Sequence, residues 1–81
     1  MFTLTFHLFA YPREKLNMSK IMHSFSSEVT IRSIITFLSN EYPGIPFERY
    51  RYAINKKYIT DDSYILCKNT DIYVIPPISG G

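Results

Sequence analysis

Residues 30–42 constrain the fold more than any other stretch of this sequence. Ile31, Ile34, Ile35, Leu38 and Tyr42 recur at steps of three and four, which sets them on one face of a helix. Thr30 is a good N-cap, because its hydroxyl can accept from a free first-turn N–H. Val29 and Ile34 have the spacing of a hydrophobic staple around that cap. Pro43-Gly44 stops the helix near Glu41, and Pro46 keeps the following loop out of helix. A helix with a single apolar stripe needs one apolar surface to cover it, and in a chain of 81 residues a sheet is the economical partner.

The flanking segments read as that sheet. Phe2, Leu4, Phe6 and Leu8 alternate with Thr3, Thr5, His7 and Phe9, the period of a strand with one buried face, over residues 2–10. Tyr11-Pro12-Arg13-Glu14 breaks this strand, since proline lacks the ladder donor. Residues 20–25 form a second strand, with Ile21, His23 and Phe25 on one side and Ser26-Ser27 at its end. Beyond the helix, residues 51–55 read as a strand, Lys56-Lys57 as its turn and Tyr58-Ile59 as a short return strand. Residues 60–63 and 68–71 are turn-rich. Ile72-Tyr73-Val74-Ile75 is a continuous apolar run, as expected of a strand covered on both faces or paired on both edges. The order predicts a two-layer α+β domain in a β-grasp arrangement: a mixed sheet of four to five strands with one main helix packed on one face. Residues 1–75 make this body, and residues 76–81 make an extended tail ending in Gly-Gly.

Composition excludes several kinds of function. The one cysteine cannot make an internal disulfide, and one Cys with two His is too few for a zinc site. No apolar run approaches the roughly 20 residues of a membrane span, and the first ten residues lack the basic start of a signal peptide. A reducing cytoplasm is the expected location. The formal charge of +2 is too small and dispersed to imply nucleic acid. Neither G-x-x-x-x-G-K-[ST] nor G-x-G-x-x-G is present, so no nucleotide site is expected. His7 reads as an exposed strand residue, His23 as a half-buried packing residue and Cys67 as a small hydrophobe. Arg49-Tyr50-Arg51 and Lys56-Lys57 read as solvated loop ends.

The chain's ending differs in kind. Pro76-Pro77 has fixed φ and two missing N–H groups, so the chain leaves the sheet there in extended form. Residues 76–81 can reach about 20 Å beyond the body. Gly80-Gly81 has no side chains and can enter a channel too narrow for other dipeptides, with the Gly81 carboxylate open to attack on a phosphoanhydride. Alternation supplies a second feature. If Phe2, Leu4, Phe6 and Leu8 face the helix, then Phe9, Tyr58, Tyr73 and Ile75 lie together on the uncovered face, near the tail's departure. An exposed apolar cluster of this sort marks a partner surface.

The ending Ile75-Pro76-Pro77-Ile78-Ser79-Gly80-Gly81 resembles the C-terminus of the small, sulfur-carrying subunit of molybdopterin synthase, a ubiquitin-like β-grasp family. Phe9-Ala10-x-x-Arg13-Glu14, the helix from Thr30-Ile31 to Tyr42-Pro43, and Ala53-Ile54-Asn55 resemble further motifs of that family in the right order, across essentially the whole chain. Departures fall in loops: Asn69-Thr70-Asp71 stands for Asp-Gly-Asp, and Leu16-Asn17 lies where the family often has Gly. The resemblance implies a carrier without catalytic side chains or a cofactor of its own. A ubiquitin-activating-like adenylyltransferase would use ATP to adenylate the Gly81 carboxylate, and a persulfide donor would convert it to a thiocarboxylate. The tail, Pro76, Pro77, Ile78, Ser79 and Gly80, would then insert into the large subunit of molybdopterin synthase. There the sulfur would go to cyclic pyranopterin monophosphate, within a heterotetramer. Phe9, Tyr58 and Ile75 match the family's partner-contacting positions. The same Gly-Gly ending also suits a thiamine-pathway sulfur carrier or a ubiquitin-like protein modifier.

Overall fold

The computed structural model describes residues 1–77. Ten short elements follow one another. They are β1 (Phe2–Leu8), α1 (Tyr11–Leu16), β2 (Lys20–Phe25), β3 (Val29–Thr30), α2 (Ile31–Glu41), a 3-10 turn (Phe47–Arg49), β4 (Arg51–Ile54), β5 (Lys57–Tyr58), β6 (Ile65–Leu66) and β7 (Thr70–Ile75). Five strands form one mixed sheet in the order β2-β1-β7-β4-β5, and β3 and β6 make a separate two-stranded ribbon. β1 runs antiparallel to β2 and parallel to β7, and β7 runs antiparallel to β4. The continuous apolar run of residues 72–75 is thus explained by pairing on both edges. The domain is the α+β, β-grasp architecture that the element order predicts.

Parity along the strands decides which side chains are buried. Phe2, Leu4, Phe6 and Leu8 on β1 and Ile72 and Val74 on β7 join Ile31, Ile34, Ile35 and Leu38 of α2 in one core. Ile45 and Phe47, from the turn after the helix, close one end of it. Tyr52 is buried there too, and its hydroxyl donates to the Phe47 carbonyl at 2.7 Å. Burial pushes the Tyr52 phenol well above its ordinary pKa, because an anion there would be desolvated.

α2 is held at its start by partners for three first-turn donors. Thr30 Oγ1 accepts from Ser33 N–H at 3.1 Å, and Ser33 Oγ accepts from Thr30 N–H at 2.9 Å, a reciprocal capping box. Ile31 N–H and Arg32 N–H donate to the carbonyls of Tyr64 and Asp62. That loop is braced by Asp61, whose Oδ1 accepts from the backbone and hydroxyl of Ser63 at 2.9 and 2.6 Å. These bonds hold the Asp61 carboxyl below its ordinary pKa. Arg32 meets Asp62 and Glu48, and its guanidinium pKa rises chiefly through the Asp62 contact. After Glu41 the chain turns at Pro43 and Gly44, where Gly44 takes φ 96°, a value that disfavours any side chain.

Several local expectations need correction. Residues 11–16 are a helix, not merely a break, because proline in a first helical turn forfeits a donor that has no partner anyway. Ala10 at φ 57° turns the chain into it, so β1 ends at Leu8 rather than Ala10. Asn17 in the left-handed region closes it. The β4–β5 turn is Asn55-Lys56, one residue earlier than expected, with both residues at positive φ as a tight two-residue hairpin requires. Its return strand is accordingly Lys57–Tyr58, with Ile59 beyond it. β6 escapes prediction because two residues are too few to show a period. Cys67 is exposed rather than packed, and His23 is exposed rather than half-buried, although its ring packs against Phe25 and Phe37. Tyr50, set within a basic run, is buried.

Candidate partner-docking face

Among the described residues no helix covers the face of the sheet opposite α2. Thr3, Thr5 and His7 of β1 stand on it, in register with Ser24, Met22 and Lys20 of β2 on one side. Asp71 and Tyr73 of β7 flank Thr5 and His7 on the other side. Farther across lie Ala53 and Arg51, opposite Tyr73 and Ile75, and then Tyr58 opposite Ala53. The four residues that alternation selected do come together on this face. Phe9 is 41% exposed, Tyr58 53% and Tyr73 39%, while Ile75 is half-buried.

Their arrangement is ordered. The Tyr73 ring stacks on His7 at 4.6 Å and 13°, and on Phe9 at 6.1 Å and 17°. The His7 Nε2 lies 2.9 Å from Asp71 Oδ1, so the row of three rings ends in a carboxylate. Across the sheet, the Arg51 guanidinium sits 5.3 Å from the centre of the Tyr58 ring. Ala53 is small, and between Tyr58 and Tyr73 it leaves a depression rather than a ridge. This depression opens into a cleft of about 1000 Å³ whose far wall is β6 and the residues after it, including exposed Ile65 and Cys67. Lys56 and Lys68 give that cleft a cationic rim.

The sequence reading missed this far wall, as well as the part played by His7, Asp71 and Arg51. His7 was legible as an open-face residue from its parity with Phe9. Its contact with Tyr73 depends on the parallel β1–β7 register, which no local signal encodes. Ile75 is the last residue of β7, and Pro76 and Pro77 follow outside the strand. Ile78, Ser79, Gly80 and Gly81, the rest of the expected insertion segment and its reactive end, lie outside the described residues.

The face can bury apolar surface against another protein, with Arg51, His7 and Asp71 as polar handles around it. Among the described residues no group of three or more His, Cys, Asp or Glu is placed to hold a metal ion. No described helix is long and apolar enough to cross a membrane.

Comparison with known proteins gives the family of the chain and matches its fold. The model of the ThiS family matches residues 6–81. Among solved structures, a Pyrococcus furiosus protein assigned as molybdopterin converting factor, subunit 1, superposes with a TM-score of 0.77. It is 15% identical, over 96% of this chain and 100% of that one. Small archaeal modifier protein 1 from Methanosarcina acetivorans superposes at 0.75 with 19% identity, over 100% and 98%. SAMP1 from Haloferax volcanii does so at 0.76 with 16% identity, over 98% and 99%. At these identities the likeness is one of fold. No curated protein sequence matches the chain significantly.

Proposed function

This chain belongs to the ThiS family, and from that premise we propose that it carries sulfur as a thiocarboxylate on Gly81, as the small subunit of a molybdopterin synthase. The observation that supports this most is the placement of Phe9, Tyr58, Tyr73 and Ile75 on one open face, at the end of the strand that leads into Pro76-Pro77. A carrier needs a docking surface that sets its tail at a fixed position in each partner. In this reading the reacting group is the Gly81 carboxylate, and the chain needs no catalytic side chain of its own.

In this reading a carboxylate oxygen of Gly81 attacks the α-phosphate of ATP in an activating partner, and pyrophosphate leaves. The acyl-adenylate then has AMP as a good leaving group, where the free carboxylate is inert. The terminal sulfur of a persulfide displaces AMP to give an acyl disulfide. A thiol of the donor system then attacks the donor-side sulfur, forming a disulfide with it and releasing the thiocarboxylate. The loaded tail enters the large subunit of the synthase, where sulfur passes to cyclic pyranopterin monophosphate. ATP and the catalytic groups belong to the partners. The cationic rim of Lys56 and Lys68 suits partners whose docking surfaces are acidic around an apolar centre.

A second reading uses the same activation step. The likeness to two small archaeal modifier proteins favours a ubiquitin-like modifier, with Gly81 joined to a lysine of a target protein. The product separates the two. Deletion of Gly81 should abolish cofactor synthesis and leave the folded body unchanged; normal synthesis by the deleted chain would refute the carrier reading. Gly-Gly remnants on target lysines after proteolysis, without loss of cofactor in the deletion strain, would favour the modifier.

A further inference from the structure

β2 is the outermost strand of the sheet, and its free edge is separate from the docking face. Two hydrogen bonds fix which backbone groups that edge presents. Leu8 N–H donates to the Ser19 carbonyl at 2.9 Å, one step beyond the β1–β2 ladder. Thr3 N–H points away from β2, to Asn69 Oδ1 at 2.7 Å. Bonded and non-bonded pairs alternate along an antiparallel ladder. Ile21, His23 and Phe25 therefore bond inward to β1, and the N–H and C=O groups of Lys20, Met22 and Ser24 point outward. Among the described residues no strand pairs with them. The edge is lightly guarded: it has no proline, no bulge in six consecutive pairs, and a single charge, Lys20, at its end.

Beside this edge, between β2 and α2, runs a groove of about 360 Å³. His23 packs against two rings, 4.8 Å from Phe25 and 4.4 Å from Phe37, and Phe25 meets Phe37 edge-on at 5.7 Å, so the three rings form one cluster. Ser26, Ser27 and Ser33 contribute to its lining. A row of unpaired donors and acceptors at strand spacing, next to an aromatic groove, fits one kind of ligand.

We propose that the β2 edge and this groove bind an extended peptide segment of a partner protein, which adds a strand beside Lys20–Phe25 and sets aliphatic side chains over His23 and Phe37. Only an extended chain satisfies the outward groups of Lys20, Met22 and Ser24 together. Every second side chain of that strand enters the groove, and the intervening ones cross exposed Met22 on the other face. Lys20 at one end and exposed Glu28 beyond the other select a peptide with an acidic residue at the first and a basic one at the second. A second copy paired through its own β2 fits less well. Its helix-side residues are buried Ile21 and the already stacked His23 and Phe25, so none is free to fill the groove. The site lies two strands from Tyr73, so a protein held here leaves the docking face open.

The test is amide NMR of the full chain with two capped synthetic peptides, Asp-Ile-Thr-Ile-Thr-Ile-Lys and its reverse, each with a control carrying Ser for Ile. Binding by either order should shift Lys20, Met22, Ser24 and Phe37 and slow exchange of the first three amides by roughly tenfold or more. Met22→Pro removes an outward donor without breaking a β1 bond and should abolish the effect. Phe37→Ser keeps the backbone edge intact and should weaken binding about tenfold, which covers the case in which the proline variant does not fold. Equal binding of the Ser controls would overturn the proposal, as would shifts confined to Phe9, Tyr58 and Tyr73, or no shift at millimolar peptide. So would concentration-dependent protection of the β2 amides without peptide, which would assign the edge to a second copy.

Discussion

The two faces of one sheet are built from the same strands and serve opposite ends. On the helix side, Leu4, Phe6, Ile72 and Val74 are fully buried against α2. On the other side, one residue along in each case, stand Thr5, His7, Asp71 and Tyr73, polar or aromatic and partly in solvent. Neighbouring residues therefore do different work: one parity holds the domain together, and the other presents it. In the proposed carrier reading, this division lets the docking surface change without cost to the core.

The largest expected effect breaks the comparison at a single step of the chain. Phe6→Ala should cost about 3–5 kcal/mol in denaturant unfolding, whereas Thr5→Ala should stay within about 0.5 kcal/mol. Next come Phe9→Arg and Tyr73→Arg. Either should weaken binding to the activating partner by about tenfold or more, in a calorimetric titration, with a stability change below about 1 kcal/mol. If these variants unfold instead, the open face is part of the core. Thr30→Ala should cost about 1 kcal/mol by the same unfolding measurement, because it removes the acceptor for Ser33 N–H. The smallest effect is acidic. Asp61 has its folded pKa lowered by Ser63, so its contribution is complete above the ordinary carboxylate range and is lost as pH falls through the folded value. Unfolding measured against pH should show a slightly shallower acid limb in Asp61→Asn, and an identical limb would remove Asp61 from the loop's support.

The helix-covered face was legible because it is periodic. Ile31, Ile34, Ile35 and Leu38 announce α2, and the alternation in β1 names the core residues it covers. The open face was half legible. Parity selected Phe9, Tyr58, Tyr73 and Ile75, but the stack of His7 on Tyr73 and the Asp71 contact needed the β1–β7 register, which is a long-range pairing. Tertiary context also overrode local signals. Pro12 opens a helix rather than only breaking a strand, and β6 is too short to carry a pattern, so the cleft's far wall had no sequence signature.

The reading of this chain as a carrier rests on chemistry at Gly81, and the intact mass of the protein tests that directly. The chain would be isolated from a host with its own activating enzyme and sulfur source, then measured by high-resolution mass spectrometry. Replacement of one C-terminal oxygen by sulfur, lost in a Gly81-deleted chain, is the predicted result. A population that carries only the ordinary carboxylate while the host's activating enzyme is active on its own carrier would contradict the account.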